Sequence, residues 1–300
     1  MDNVKTNTNE IVTGEKIRSQ SQMIAARRFF AYTVLVILAI ISLFPFIIMI
    51  INSTREHLKI MGGFTLIPGG KLYANYHDLL VKYRTSYPVI SGMRNSLFVS
   101  ACVALVTTYF SCATAYGIYM YNFKGKSFVF KFILAIMMVP TQVSTLGFLD
   151  LITNMGLMNS FLPLIIPSIA APIVFFYMYQ SMEATLPYSI VEAARVDGCN
   201  EFRTFNTIVI PMMKPALAVQ LIFAFVSTWN NYFVPALVLS DKDKFTVPMV
   251  IAFVRNADYM NQNYGVLYAL MTMTILPLII IYLFVSKYII GGVTSGGVKE

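Results

Sequence analysis

Charged residues are scarce in this chain, and their scarcity excludes a soluble globular protein. Asp, Glu, Lys and Arg make up 12% of the 300 residues, whereas about 25% is usual for soluble domains. Hydrophobic residues make up 57%, and several apolar runs approach the roughly 20 residues that cross a bilayer as a helix. The composition therefore predicts an all-α, polytopic membrane protein built as one helical bundle.

Cysteine and histidine are also rare, which argues against a disulfide framework and a metal centre. Cys102 and Cys112 would lie roughly 15 Å apart on one helix, which is too far for a disulfide, and Cys199 stands apart. The two histidines, His57 and His77, have no further ligands at metal-binding spacing. No acid–base pair and no nucleophile with an adjacent base is evident, so the chain is not predicted to be an enzyme.

The net charge of +8 does not indicate a nucleic-acid partner, because the basic residues lie mostly between the apolar runs. There they set the topology and face anionic lipid headgroups. Gly125-Lys126-Ser127 is similar to the end of a phosphate-binding loop, but Met120 occupies the position of the required first glycine and no strand precedes it. We therefore expect no nucleotide or other cofactor site in this chain.

Six apolar runs are predicted to cross the membrane. Six spans place both termini on one side, and an excess of Lys and Arg on that side favours the cytoplasm. Asn95 or Ser96 is expected to cap the second span, and Pro140 to bend the third. The predicted spans are residues 29–51, 96–119, 128–152, 161–179, 215–239 and 266–288.

The domain organisation follows from these spans. Residues 1–28 form a cytoplasmic N-terminal tail, whose polar part up to residue 26 is predicted to lack regular structure. Residues 29–290 form the transmembrane domain, and residues 291–300 form a cytoplasmic C-terminal tail. Asp150 is the one acid inside an apolar run; an interfacial position and a role in a transport pathway both fit it.

The polar segment 181–214, between the fourth and fifth predicted spans, is too polar to cross lipid. Ser189 and Glu192 have the spacing of a capping box, and Glu192 and Arg195 share one side of a helix at i, i+3. Gly198 suits the positive φ that ends a helix, and Asn200 can cap the next one. The segment is therefore predicted to be two short helices with a defined turn between them.

The second short helix carries an apolar stripe and ends in a bend. Phe202, Phe205 and Val209 recur at i, i+3 and i+7, and Pro211 and Pro215 direct the chain into the fifth span. Taken alone, segment 181–214 also fits an amphipathic connector that lies on the lipid headgroups.

A longer motif distinguishes these two interpretations. Glu192-Ala193-Ala194 is followed after three residues by Gly198, and after nine more by Ile208; one further residue separates Ile208 from Ile210, which Pro211 follows directly. This pattern is the EAA signature, and it resembles the cytoplasmic loop of ABC-importer permeases. The one departure is Ile210 where leucine is usual.

Shorter matches to the carbohydrate-type, MalG-like permeases occur between residues 29 and 300: Asn95-Ser96-Leu97, Ala115-Tyr116, Phe123-Lys124-Gly125-Lys126, Met138-Val139-Pro140, Gly156-Leu157, Trp229-Asn230 and Gly296-Gly297-Val298-Lys299.

The resemblance implies the type I ABC-importer permease fold and the function of that family. The chain would be a permease subunit of an ATP-driven, binding-protein-dependent importer of a sugar or oligosaccharide in a bacterial or archaeal cell membrane. Its partners would be a second homologous permease, two cytoplasmic ATPase subunits that bind ATP and Mg, and an extracellular or periplasmic sugar-binding protein.

The resemblance also implies which residues meet the ATPase. The C-terminal residues Gly296, Gly297 and Lys299 would reach into the ATPase dimer, although a flexible end fits them as well. The residues implied to couple to the ATPase in segment 181–214 are Glu192, Ala193, Ala194, Arg195, Asp197, Gly198, Ile208 and Pro211.

The substrate pathway is less well defined by the sequence. Trp229, Asn230, Asn231 and Tyr232 combine aromatic faces with amides, which suits sugar recognition, but a polar helix interface with a kink at Pro235 fits equally well. An ion-driven carrier is the competing class; it predicts intramembrane charges and internal repeats, of which the sequence offers only Asp150.

Overall fold

The computed structural model describes the backbone of residues 2–82, 88–256 and 263–296, and the side chains of residues 23–82, 88–140, 143–256 and 263–286. Every regular element in these ranges is helical, as the composition predicts. Short π and 3₁₀ segments are Asp78–Lys82, Ile166–Ile169, Phe205–Val209 and Lys242–Lys244. The α-helices are α1 (Asp2–Ser53), α2 (His57–Met61), α3 (Leu72–His77), α4 (Val89–Met120), α5 (Lys126–Ile136), α6 (Thr141–Asn154), α7 (Leu162–Ile165), α8 (Pro172–Thr185), α9 (Tyr188–Val196), α10 (Glu201–Thr204), α11 (Ile210–Met212), α12 (Lys214–Trp229), α13 (Phe233–Val238), α14 (Val247–Arg255) and α15 (Tyr264–Gly296).

Helix α4 is the element against which most of the bundle packs. It runs unbroken for 32 residues, and its most extensive neighbours are α12 and α8. Small residues at helical spacing, Ser100, Ala104, Ser111 and Ala115, are almost completely buried on it. Small side chains let neighbouring helices approach closely in lipid, which accounts for the close contacts of α4 with α12 and α8.

Hydroxyl groups of α4 also cover the breaks in a neighbouring span. The predicted fourth span is divided into α7, a 3₁₀ turn and α8, where prolines remove backbone donors. Thr107 Oγ1 donates a hydrogen bond to the Ser168 carbonyl at 3.0 Å, and Ser111 Oγ donates to the Ala171 carbonyl at 3.5 Å. An irregular backbone at membrane depth is tolerated only where protein or water satisfies it in this way.

Four helical segments in the described residues are long and apolar enough to cross a membrane: Met23–Ser53, Val89–Met120, Leu162–Thr185 and Tyr264–Ser286. A fifth is counted if Glu201–Met212 and Lys214–Trp229, which meet at 82°, form one span. The predicted third span is split into α5 and α6 around Pro140, which has no backbone N–H to continue a helix. The protein is therefore a multi-pass membrane protein, and the number six remains a prediction.

Asn95 and Ser96 do not cap α4 as predicted, because α4 begins at Val89, well before them. Both side chains instead hold the segment that leads into α14. Ser96 Oγ accepts a hydrogen bond from the Val247 amide at 2.8 Å. Asn95 Nδ2 donates to the carbonyls of Asp243 and Phe245 at 2.8 and 3.0 Å.

The expectation of an irregular N-terminal tail is also wrong in this structure, where α1 extends back to Asp2. Residues 2–26 contain no proline, so nothing in them removes a helical hydrogen bond. Helix α1 packs mainly against α15, and the apolar stretch within it is otherwise exposed.

The chain after α1 is held against the start of α15 by buried polar groups. Arg55 is 7% exposed and donates to Asn52 Oδ1 at 3.0 Å and to the carbonyls of Lys59 and Gly63. Asn75 Nδ2 donates to the carbonyls of Ser53 and Arg55. Gly265 of α15 contacts this cluster so closely that a Cβ atom there would lie 2.5 Å from the Arg55 carbonyl oxygen and 2.6 Å from Asn75 Nδ2.

We predict that Gly265→Ala destabilises the protein by about 1–3 kcal/mol, because an added methyl group forces the surrounding backbone apart. The measurement is the thermal unfolding midpoint of the detergent-solubilised chain. Gly147→Ala is the control, since a Cβ at Gly147 in α6 would meet nothing within 4 Å. An unchanged midpoint for Gly265→Ala would contradict the close approach.

Candidate functional site

Segment 181–214 folds as two short helical units joined by a tight turn, as predicted. Helix α9 ends at Val196, and Gly198 follows with a φ of +80°, a conformation that glycine adopts without strain. Asn200 then caps α10, because its Oδ1 accepts a hydrogen bond from the Arg203 amide at 2.8 Å. Both local predictions are confirmed.

The predicted capping box is not formed. Helix α9 starts at Tyr188, and the extended residue before it, Pro187, makes no side-chain cap bond. Ser189 therefore lies inside the first turn, where its hydroxyl cannot reach the amide three residues ahead as a cap does. The proline, which disfavours helix in the residue before it, precedes a helix that starts two positions earlier than the capping-box pattern suggests.

The residues of the EAA pattern divide between two sides of α9. Val191 and Ala194 are buried against the bundle, and Arg195 is half-buried. Glu192 and Ala193 are exposed. Asp197 and Gly198, in the turn that follows, are also exposed, as is Pro211, while Ile208 is half-buried.

Two large apolar side chains of the segment are also exposed. Val196 at the end of α9 is 86% exposed and Phe202 in α10 is 74% exposed. Phe202 therefore does not join the apolar stripe predicted for it, whereas Phe205 and Val209 are buried. The exposed surface formed by Glu192, Ala193, Val196 and Phe202 is called the coupling surface below.

The interaction that orders this segment was not predicted. Arg195 shares one helical side with Glu192 in the sequence, but its Nε donates to Glu201 Oε1 at 2.7 Å across the Gly198 turn. The other carboxylate oxygen, Oε2, accepts from the Tyr116 hydroxyl at 2.8 Å. The Arg195 guanidinium also lies 5.2 Å from the centre of the Tyr121 ring.

The charge states of Glu201 and Arg195 favour the same contacts. Partial burial raises the pKa of Glu201, but hydrogen bonds from Arg195, Tyr121 and Tyr116 lower it below its usual value. The hydrogen bond to Glu201 raises the pKa of Arg195. Both groups are therefore charged at neutral pH, and Glu201 links α9 and α10 to α4.

Further contacts attach the segment along the same end of α4. The Tyr119 hydroxyl donates to the Leu186 carbonyl at 3.1 Å, and the Tyr188 hydroxyl donates to the Tyr119 carbonyl at 3.0 Å. The Tyr109 hydroxyl donates to Asn206 Oδ1 at 3.3 Å. Segment 181–214 is thus fixed to α4 rather than lying free as a connector.

The four candidate pathway residues do not form one site. Trp229 is 2% exposed and packs on Phe225 with ring centres 5.7 Å apart. Trp229, Asn230 and Tyr232 line a cavity of about 480 Å³ together with Arg255. Asn231 instead lines a separate cavity of about 640 Å³ beside α4.

The other sequence candidates occupy structural positions. His57 Nδ1 accepts from the Tyr264 amide at 3.3 Å, and the two rings stack at 5.1 Å. In the described part of the chain, no group of three or more His, Cys, Asp or Glu side chains could hold a metal ion. Asp150 is exposed. Gly296 ends α15, whereas Gly297 and Lys299 lie outside the described residues.

Comparison with known proteins identifies the family. Residues 107–294 match the family described as binding-protein-dependent transport system inner membrane component. The chain belongs to this family. The matched range includes the α9–α10 segment, the α4 residues that hold it and all the residues that line the smaller cavity.

Several curated relatives are sugar transport permeases. The chain is 34% identical over 265 residues to an arabinooligosaccharide transport system permease protein of Halalkalibacterium halodurans, covering 87% of this chain and 93% of the relative. It is 30% identical to the trehalose/maltose transport system permease protein of Thermococcus litoralis, covering 88% and 94%. The protein is therefore a carbohydrate ABC-importer permease, and permeases of this kind are not themselves catalytic.

A solved structure supports the fold. The chain is similar to one from a bacterial ABC transporter involved in the import of the acidic polysaccharide alginate, with a TM-score of 0.75 and 22% identity. The match covers 87% of this chain and 95% of that chain. At this identity it establishes the ABC-importer permease fold alone.

We predict that Glu201→Gln lowers the stability of the isolated permease by about 0.5–1.5 kcal/mol, because it weakens the hydrogen bonds that join α9 and α10 to α4. The measurements are thermal unfolding in detergent and the rate of limited proteolysis near the Gly198 turn. Glu192→Gln is the matched control, since Glu192 is an exposed carboxylate in the same segment. Equal effects of the two substitutions would contradict this role for Glu201.

Proposed function

We propose that this chain forms half of the pathway of an ATP-driven importer for a sugar or oligosaccharide, paired with a second homologous permease. The family membership and the sugar-permease relatives support this assignment. The observation that carries it is the coupling surface: exposed acidic and apolar side chains on a polar segment that is itself fixed to α4, the helix against which most of the bundle packs.

The coupling surface is the proposed contact with the ATPase. Val196 and Phe202 are large apolar side chains exposed in an otherwise polar segment, a combination typical of a protein interface. Glu192 stands beside them as an exposed acid that can pair with a basic residue of the partner. ATP and Mg would bind the two ATPase subunits and not this chain.

Through its attachment to α4, segment 181–214 would transmit movement of the ATPase to the membrane helices. When the ATPase dimer closes on ATP, a rigid segment would move as one body with the helices it contacts. The Arg195–Glu201 ion pair, the Tyr116 hydroxyl and the defined turn at Gly198 make the segment rigid. A sugar-binding protein on the opposite side would deliver the substrate to the opened pathway.

The proposed topology has six spans with both termini in the cytoplasm of a bacterial or archaeal cell. In this arrangement α5 and α6 together form the third span, and α12 and α13 the fifth. The C-terminal residues Gly296, Gly297 and Lys299 would lie on the ATPase side. Reporter fusions after residue 300 are expected to give cytoplasmic signals, and fusions after Asp241 external signals; the reverse pattern would overturn the orientation.

We predict that Glu192→Ala and Gly198→Asp each lower sugar uptake about tenfold or more while membrane insertion stays normal. Glu192→Ala removes a charge-assisted contact worth about 1.5–3 kcal/mol, and Gly198→Asp strains a turn whose φ is positive. The measurements are uptake into proteoliposomes and the amount of folded permease. Glu183→Ala, which removes an exposed acid at the end of α8, is the control; normal uptake by the Glu192→Ala, Gly198→Asp double variant would contradict the proposal.

Co-purification tests the partners directly. An importer subunit should be isolated with a second permease and an ATPase in fixed proportion, and uptake should require ATP. Active transport by the purified chain alone, driven by an ion gradient, would instead establish the carrier alternative.

A further inference from the structure

The larger cavity, of about 640 Å³, lies between α4 and the irregular parts of three predicted spans. Met137 and Val139 line it from the break between α5 and α6, and Pro167 and Ala170 line it from the turn between α7 and α8. Asn231 lines it from the break between α12 and α13. We call this space the α4 cavity. Its volume is within the range of small-molecule sites.

The three helix breaks that border the α4 cavity can be explained by the need to pair backbone groups in a membrane. A broken helix in lipid leaves backbone groups without helical partners, and such breaks persist where they line a cavity that a polar ligand or water enters. The breaks here come from separate stretches of sequence, yet all three border the α4 cavity. If the cavity were only a loosely packed region of the bundle, the three breaks would not have to border it.

The wall of the α4 cavity is mostly apolar with a few accessible polar groups. Ser144 of α6 is exposed, and Thr228 and Asn231 are half-buried. Asn231 Oδ1 accepts from the Val234 amide at 3.4 Å, so its amide nitrogen is left as a donor. These three groups come from the third and fifth predicted spans and provide both donors and acceptors.

Two further hydroxyls lie within the wall without partners. Ser100 is 1% exposed and Thr246 is 4% exposed, and neither hydroxyl has a hydrogen-bond partner among the described residues. Both residues line the α4 cavity. A buried polar group left unpaired costs about 1–3 kcal/mol, so the wall contains unused capacity for hydrogen bonds.

The cavity also selects against charge. None of the described residues that line it is Asp, Glu, Lys, Arg or His. Burying a carboxylate without a compensating cation is strongly unfavourable, whereas a sugar ring presents hydroxyls and apolar C–H faces. The smaller cavity, which contains Arg255, differs in this respect.

We propose that the α4 cavity binds one neutral sugar unit of the transported molecule, with Thr228, Asn231 and Ser144 as its polar contacts. The inference rests on the proposed function, because it presumes that a saccharide crosses this chain. Beyond the proposed function, it states where in the chain the saccharide binds and that the bound unit is uncharged. The bound unit is a pentose or hexose, not a uronate or a sugar phosphate.

The test uses the complete importer, with its second permease, ATPase and binding protein, in proteoliposomes. Uptake is measured for arabinotriose, maltotriose and digalacturonate. The wild type is expected to take up at least one neutral probe and to leave digalacturonate outside. Uptake of digalacturonate alone would overturn the inference while the importer function stands; uptake of none of the three would overturn both.

Substitutions then locate the binding site. Thr228→Val and Ser144→Ala each remove one hydroxyl, and each is expected to lower uptake of the neutral probe at low concentration roughly 2- to 10-fold, the value of one hydrogen bond. The control is Thr108→Val on α4, because the Thr108 hydroxyl already donates to the Ala104 carbonyl and lies outside the cavity. It should leave uptake unchanged.

A structural role is separated from binding by measurements of stability. The thermal unfolding midpoint should be the same in Thr228→Val, Ser144→Ala and the wild type. Thr246→Val should not lower stability, since it replaces an unpaired hydroxyl by a methyl group of similar size. Unchanged uptake in Thr228→Val and Ser144→Ala, or uptake losses matched by losses of stability, would overturn the inference.

Discussion

The structure depends on one constraint: backbone polar groups inside a membrane must be paired within the protein. Three of the predicted spans are divided, two of them at prolines, and each division frees backbone groups from their helical partners. The 32-residue helix α4 remains unbroken and lies beside these divisions. Its hydroxyls accordingly bond to the carbonyls of Ser168 and Ala171, and its small residues bring α12 and α8 close.

Helix α4 also orders segment 181–214, which is proposed to contact the ATPase. Glu201 receives hydrogen bonds from Tyr116 of α4 and from Arg195 of α9, so one carboxylate joins three helices. This attachment turns the buried side of α9 towards the bundle and leaves Glu192, Val196 and Phe202 outside. These three side chains are exposed, and so available to a partner, because the opposite side of the segment is held against the bundle.

Several features set by neighbouring residues could be predicted from the sequence, although the Ser189–Glu192 capping box could not, and features set by distant residues could not. Gly198 and Asn200 act on their own turn and cap, so their roles followed from residue type. The EAA spacing identified the family. By contrast, the pairing of Arg195 with Glu201 crosses a turn, and Ser96 caps a helix that begins 151 positions later; no periodicity encodes either contact. Breaks at proline were expected, but their convergence around one cavity is visible only in three dimensions.

The two ends of α4 are attached to opposite parts of the chain. Ser96 holds the first amide of α14, and Tyr116, twenty positions along, holds Glu201. At 1.5 Å per residue these contacts are about 30 Å apart, close to the thickness of the hydrocarbon core. Because the helix between them has neither proline nor a break, it behaves as a stiff rod across the bilayer. A tilt imposed at the Glu201 end must displace the loop before α14 at the other, without any change of conformation within the rod.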